Sequence, residues 1–454
     1  MTVPEPLASG FAVGAESDWR AAVARFSKDP DQNLSAVSDD GIPIGPIYRR
    51  IAGATPVIGR APGQPWRIVQ RISAPNAATA LSFAREELAG GADGIALVFA
   101  DSIHPLAGHL PEDAARDVAA GLAPLLAEDT TLTIDAGPRT PAVAAAFAGV
   151  AAECSLAFDP VAAVATGRLK DARPTTETLA GLARSITGTV ALADGRIWHA
   201  AGASEVQELA AVLATAIGLL RLFEAQGVAP DIMAARLAVA LAADTDQFLT
   251  IAKLRAMRLL LKCALETAGI ATTPPVHAET AWRTLSRREP RMNVLRATGA
   301  AFAAAVGGAD SISVLPFDAL DGEGSAAARR LARNTQIVIA EEAQLYRFAD
   351  PAAGSGAVEG LTDALAEKAW ERFQAIEAAG GILASLAQGI LQNEIAAVRE
   401  VRLARFAEGT IAMIGANAFR AEADEPLAPL SESAAAPEGA LVFRRLAESA
   451  EAQT

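Results

Sequence analysis

Between residues 67 and 316 the chain alternates eight short apolar runs with longer stretches of helical periodicity, and this alternation restricts the fold more than any other feature. The runs are RIVQRI (67–72), GIALVF (94–99), LTIDAG (132–137), SLAFDP (155–160), TVALAD (189–194), RLAVALA (236–242), PPVHAET (274–280) and SISVLPF (311–317). Strands alternating with helices build parallel βα units. Eight such units close a barrel, and roughly 250 residues is the usual span of one. The expected fold is α/β: a (β/α)8 TIM barrel with an N-terminal extended arm and C-terminal helices. A doubly wound open sheet would place a glycine-rich turn after its first strand, and RISAPNAAT has none.

Four regions follow. Residues 1–58 hold a short helical stretch near Trp19–Phe26 and the proline-punctuated SDDGIPIGPIYRR. These cannot form a core alone, so they are expected to serve as an arm for subunit association. Residues 59–345 make the barrel and 346–420 a helical segment, with GLTDALAEKAWERFQAIEAAGG strongly amphipathic. Residues 421–454, rich in Pro, Ala, Glu and Ser, are expected to form a mobile tail, apart from a last helix at FRRLAESAEA. The junctions GGADGIALV (90–98) and GGADSISV (307–314) resemble each other, and helix caps before strands account for both.

Composition excludes several functions. Hydrophobic residues are 51% of the 454 and charged residues 20%, so a large core can be buried. The net charge of −14 repels phosphate backbones, which argues against nucleic-acid partners. Cys154 and Cys263 are too few for a disulfide framework or a thiolate metal cage. The four histidines, His104, His109, His199 and His277, lack HExxH spacing, so no metal site is expected. The N-terminus has no basic region before an apolar run, and apolar stretches such as LAAVLATAIGLL span about a dozen residues, short of a membrane helix. A cytoplasmic protein with no membrane association is the expectation.

Chemistry in such barrels sits at the C-terminal strand ends. Here those ends carry Gln70, Arg71, Asp101, Asp135, Asp159, Asp194, Asp244 and Glu279. So many acids could serve a metal-assisted aldolase, but Asp at a βα junction more simply caps the next helix. His277 is the one base read beside them, and a lone histidine in an apolar strand is more simply a core residue. The glycine cluster DPAAGSGAVEG (350–360) follows no strand and lacks GK[ST], so it is a poor phosphate loop. WRTLSRREPRMNVLR (282–296) is the one dense basic stretch, suited to CoA phosphates, an acidic partner or a solvated helix face. The apolar runs ALVF, LAVAL and SISVL predict an interior packed shut, with no axial channel.

Several segments together resemble the methylmalonyl-CoA mutase family, its small (beta) subunit above all. They are DDGIPIGPIY, WRIVQRISAPNAATALSFAREELAGGADGIALVF, AAGASEVQELA, IAKLRAMR, HAETAWRTLSRREPRMNVLRAT, ARNTQIVIAEEAQLYRFADPAAGSGAVEGLTDALAEKAW and IGANAF, in family order from about Trp19 to Phe419. The resemblance implies a cobalamin-dependent isomerase with a CoA-ester barrel and a separate cobalamin domain.

The departures carry as much as the matches. The family's catalytic tyrosine, in RQYAGF, falls on Arg71; the histidine of GYHIREAG falls on Ile197; that of SLHTNSFDEA falls on Ser313. NAHND has become AADTD at 242–246, and no DxHxxG segment supplies a histidine for cobalt. Losing a phenol and two imidazoles removes groups that position the thioester carbonyl and steer a radical pair.

The resemblance therefore implies a small subunit lacking the C-terminal cobalamin-binding domain. It would belong to a heterodimeric adenosylcobalamin-dependent methylmalonyl-CoA mutase interconverting methylmalonyl-CoA and succinyl-CoA in propionate metabolism. The chain would be a pseudoenzyme with no catalytic, cofactor-binding or metal-ligating residue of its own, supporting a large (alpha) subunit that holds adenosylcobalamin. The alternative is an active substrate-binding subunit of a split acyl-CoA mutase that borrows cobalamin from a separate protein.

Overall fold

The computed structural model describes residues 10, 14–26, 34–106, 108–151, 153–183, 186–422, 426–427 and 436–452. It divides into two compact units, Met1–Tyr48 and Arg49–Thr454.

In the first unit the helix Glu16–Phe26 buries no residue, and one exposed turn is tied by Arg20 and Glu16 at 2.7 Å. A two-stranded antiparallel ribbon pairs Ala36–Val37 with Pro43–Ile44. Its turn needs a left-handed backbone, which Gly41 supplies.

In the second unit all eight runs become parallel strands: β1 Arg67–Ile72, β2 Gly94–Val98, β3 Thr131–Asp135, β4 Glu153–Leu156, β5 Ala191–Asp194, β6 Leu237–Ala243, β7 Val276–Thr280 and β8 Ser311–Ser313. Neighbours in sequence pair in space, and β8 returns to β1, Ser311 opposite Arg67 and Ile312 opposite Ile68. Among the described residues the ladder is interrupted only between β4 and β5. Single backbone bonds bridge that seam: Gly188 N–H to Cys154 O and Leu156 N–H to Thr189 O, both 2.8 Å, and Leu192 N–H to Phe158 O at 3.0 Å. The fold is the expected TIM-barrel-like α/β architecture. The fourth strand ends earlier than expected because Asp159 and Pro160 already open a helix. Asp159 accepts the Val161 and Ala162 N–H groups, each at 2.8 Å, as an N-terminal cap does.

The caps are local. Asn76 caps Ala77–Ala89, Asp246 caps Gln247–Thr267, and Ser204 with Gln207 forms a capping box on Glu205–Glu224, each satisfying N–H groups that the first turn leaves free. The two GGAD junctions do more than end helices. Asp93 accepts the Ile68 N–H at 2.8 Å and Asp310 the Val276 N–H at 2.6 Å, so each aspartate sets the start of a neighbouring strand.

Around the barrel, Glu205–Glu224 is a single twenty-residue helix, longer than the dozen apolar residues read from the sequence. It is long and apolar enough to cross a membrane, and it is mostly buried within the fold. Helix Gly356–Ala378 packs on it and on Gln247–Thr267. Two fully buried cations clip this layer: Lys253 pairs with Glu208 at 2.6 Å, and Arg255 with Asp350 and with Glu359, the latter at 2.6 Å.

Of the tail expected to be mobile apart from a last helix in FRRLAESAEA, that last stretch does hold a short helix, Glu448–Glu451, and the packing extends back to Leu441. Ala447 and Ala450 join Phe406, Met413 and Ala416 in a buried cluster. The alternation of small apolar residues with Arg445 and Glu451 lets this stretch bury side chains against the barrel's own loops, a partnership that composition does not reveal. Residues 423–425, 428–435 and 453–454 lie outside the described residues.

Candidate functional site

The barrel encloses a cavity of about 220 Å³ running along its axis. The expectation of an interior packed shut is corrected here. Side chains alternate across a strand, and in these strands the bulky ones take the outer face. Ile95 and Leu97 are buried outside while Ala96 and Val98 line the axis; Ile312 is outside while Ser311 and Ser313 line it. Thr131, Thr133, Ser155 and His277 add further polar groups to the lining. Exposed Arg67, Glu153 and Pro275 rim the N-terminal end, with Arg67 and Glu153 3.5 Å apart. At the C-terminal end the lining residues Asp135, Glu279 and Ser313 are buried.

That end is closed by an ion network. Arg196, just beyond β5, binds Asp194 through two bonds of 2.8 Å and Glu279 at 3.1 Å. Arg71, at the end of β1, stands 3.5 Å from Glu279 and donates to Leu106 O at 2.8 Å. His104, from the loop after β2, meets Asp194 at 2.9 Å. Asp135 accepts the Ser102 hydroxyl at 2.7 Å.

The electrostatics follow from burial and pairing. Burial opposes ionisation of Glu279, but Arg196 and Arg71 outweigh it and hold its carboxyl at about 2, as neighbouring cations do. Burial likewise opposes the charge on Asp194, and Arg196 and His104 overcome it, holding the carboxyl far below the usual carboxylate range. Burial, reinforced by Arg196, lowers His277 to about 4, so its neutral ring pairs with the Ser311 hydroxyl at 2.8 Å. These three groups keep one protonation state around neutral pH, which makes them poor general acids or bases there. The hydroxyl-rich axis can hydrogen-bond an elongated, largely neutral ligand.

The strand-end residues therefore separate. Arg71, Asp135, Asp194 and Glu279 converge on the mouth. Gln70 turns to the opposite face of β1 and meets Glu87 at 3.2 Å. Asp101 is exposed, and Asp159 caps its helix while also accepting the Asp194 N–H at 2.9 Å. Asp244 forms a second buried cluster with His199 at 2.8 Å and Arg283 at 2.5 Å. Burial, reinforced by Arg283, holds His199 well below its ordinary value, so a neutral imidazole donates to Asp244. The reading that only His277 stands near these acids is thus corrected: His104 and His199 each pair with one. Arg196, His104 and Ser102 were missed. Arg196 had a signal, lying two residues after a strand-end aspartate; His104 and Ser102 arrive on a loop whose path no local pattern reports.

Among the positions taken as degenerate, Arg71 is bound in the network, and Ser313 donates to Val69 O at 2.8 Å. Ile197 is fully buried in helix Gly195–Ala200. Among the described residues no cluster of three or more His, Cys, Asp or Glu could hold a metal ion. Three arginines of the basic stretch are engaged within the chain: Arg283 by Asp244 and Ala203 O, Arg287 by Leu427 O, Arg296 by Asn293 and Ile414 O. The glycine cluster is filled by the chain's own carboxylate, Gly354 donating to Glu359 at 2.8 Å.

Residues 188–449 match the family model described as methylmalonyl-CoA mutase. The methylmalonyl-CoA mutase small subunit of Streptomyces virginiae is 33% identical over 477 positions, covering 97% of this chain and 76% of that protein. The methylmalonyl-CoA mutase small subunit of Propionibacterium freudenreichii subsp. shermanii is 42% identical over 193 residues, covering 42% of this chain and 30% of that protein. The methylmalonyl-CoA mutase of Escherichia coli K12 is 33% identical over 231 residues, covering 50% of this chain and 32% of that protein. The chain thus spans about three quarters of the first relative's length and about a third of the other two.

Proposed function

The chain belongs to the methylmalonyl-CoA mutase family, and from that premise we propose that it is the small (beta) subunit of a heterodimeric, adenosylcobalamin-dependent methylmalonyl-CoA mutase. In this reading it is non-catalytic and supports a large (alpha) subunit that binds the cofactor and the acyl-CoA, in the cytoplasm and in propionate metabolism. The observation that carries it is Arg71. At the position of the family's catalytic tyrosine stands a guanidinium committed to Glu279 and Leu106 O. A positioned phenol beside a thioester carbonyl is replaced by half of an ion pair.

Adenosylcobalamin would have to face the C-terminal mouth, where it supplies a carbon-centred radical when bound. The residues there do not fit it. Arg71, Arg196, Asp194 and Glu279 satisfy one another, and the loop carrying His104 and Leu106 lies among them. No step of the isomerisation is assigned to this chain.

The test is reconstitution with a large subunit from the same cell, followed by size-exclusion chromatography and an isomerase assay. Joint elution with Arg71→Ala leaving turnover intact is the expected result. Loss of turnover with assembly intact would overturn it. One observation favours the second reading, an active substrate-binding subunit of a split mutase: the axial cavity, where hydroxyls of Thr131, Thr133, Ser311 and Ser313 stand among apolar side chains. The two readings part on one assay: mixed with a separate cobalamin-binding protein and no large subunit, the chain turns over methylmalonyl-CoA under the second reading and does not under the first.

A further inference from the structure

Residues 437–452 cross the C-terminal face of the barrel. Leu441 donates its backbone N–H to Ala165 O at 2.8 Å, past β4; Arg444 to Ala200 O at 3.1 Å, past β5; Leu446 to Arg283 O at 3.1 Å, past β7. Phe443 meets the Trp282 ring edge-on, centroids 6.4 Å apart. The anchor is Arg445, buried, whose guanidinium donates to Leu285 O at 3.1 Å and to both oxygens of Glu451 at 2.8 and 2.7 Å. It also lies 5.9 Å from the Trp282 ring centroid. Glu451 accepts the Arg287 N–H at 2.8 Å, so Arg445 and Glu451 both hold the loop that follows β7.

Beneath that loop lies the mouth. Ala281 and Trp282 line a small space of about 20 Å³ together with Leu106, Arg196 and Glu279. Leu106 O is the acceptor of Arg71. Arg445 thus touches Trp282, Trp282 and Leu106 line the same small space, and Arg71, the donor to Leu106 O, lines the axial cavity.

We propose that residues 437–452 form a latch over the C-terminal mouth of the barrel, outside the ion network of Arg71, Arg196, Asp194 and Glu279, and that its release frees the loop that follows β7 and exposes the small space beneath it. The latch reaches the face through a few backbone bonds to loops, the Arg445 bond to Leu285 O and the Glu451 bond from the Arg287 N–H, and the bidentate, charge-assisted pair of Arg445 with Glu451 inside the latch holds those two anchors in place. Such a segment opens at a lower free energy than the strands beneath it. The inference stands apart from the mutase reading, because it concerns access to the space under that loop and not what enters.

The test places a thiol under the latch in the full chain by Ala281→Cys; Ala281 is 4% exposed. The native cysteines are the controls: Cys263 is exposed and reports the reagent, and Cys154 is buried and stays unreactive while the barrel is folded. Iodoacetamide should label the introduced thiol slowly in the otherwise native chain. Arg445→Ala or Glu451→Ala should speed that labelling roughly tenfold to a hundredfold, the range expected from losing one or two hydrogen bonds to charged groups. Amide exchange over 437–452 should rise in step, with Cys154 still protected.

Should Arg445→Ala expose Cys154, Glu451→Ala carries the comparison, since Arg445 then keeps its bond to Leu285 O. Fast amide exchange over 437–452 with the thiol at 281 still protected would overturn the proposal. So would rapid labelling in the native background, unchanged exchange in both variants, or exposure of Cys154 in both.

Discussion

Arg71, on the first strand, reaches past the eighth to stand 3.5 Å from Glu279 on the seventh. Glu279 is shared with Arg196 at 3.1 Å, so one carboxylate balances two cations in a buried mouth. Breaking a buried pair by removing one member costs more than the pair contributed, because the survivor keeps its desolvation penalty. Arg71→Ala leaves Glu279 with Arg196 and is expected to cost about 2 kcal/mol. Glu279→Gln leaves Arg71 without a carboxylate and Arg196 with Asp194 alone, and is expected to cost about 3–5 kcal/mol. Urea unfolding of both variants checks the order; equal losses would contradict the shared carboxylate.

The same carboxylate sets a pH dependence. Its folded value of about 2 lies below the ordinary 4.5, so its contribution is fully present above the ordinary value and is lost as pH falls towards the folded one. The full contribution is about 3 kcal/mol. The stability gap between the native chain and Glu279→Gln should therefore narrow by about 2 kcal/mol between roughly pH 6 and pH 3. Denaturant midpoints at the two pH values measure it, and a constant gap would exclude Glu279 as the titrating group.

Lys253 and Glu208 form a pair with no exposed side-chain surface, and Glu208 also accepts the Ala242 N–H at 2.9 Å. Lys253→Met alone should cost about 3–5 kcal/mol by stranding the carboxylate. Adding Glu208→Gln should recover at least about 1 kcal/mol of that loss, because the remaining amide still accepts from Ala242. A double-mutant cycle reads the coupling directly; additive losses would mean the pair is not coupled.

The N-terminal unit leaves Phe26 87%, Val37 64% and Ile47 40% exposed. If the small-subunit proposal holds, these side chains are part of the surface that meets the large subunit. Deleting residues 1–50 should weaken assembly with a large subunit and lower its activity without touching the barrel mouth. A stable complex is expected to bury about 2,000 Å² or more in total. Unchanged co-elution after the deletion would place the interface elsewhere.

Much of the barrel was legible because its signals are local. Short apolar runs bounded by capping residues mark each strand, and the helices between them announce their starts: Asn76, Ser204 and Asp246 cap the helices that follow. Arg71, Asp135, Asp194 and Glu279 could be named as strand-end residues for the same reason. The mouth itself was not legible. Arg196, His104 and Ser102 complete it from a helix start and a loop, and the distance from His104 to Asp194 along the chain hides a contact of 2.9 Å.

What the sequence determined by itself is the eight-fold alternation, since a periodic apolar pattern can bury itself only by pairing parallel strands under helices. Which face of each strand looks inward was left to the tertiary structure. When both faces are buried, Ile95 and Ala96 are equally acceptable in either direction until the register of all eight strands places one face towards the helices and the other towards the axis. That choice turned the serines and threonines inward and left a cavity where the apolar runs predicted a packed core. The same holds for the charges. Arg71, Arg196, Asp194 and Glu279 are ordinary strand-end and loop residues until barrel closure brings them together.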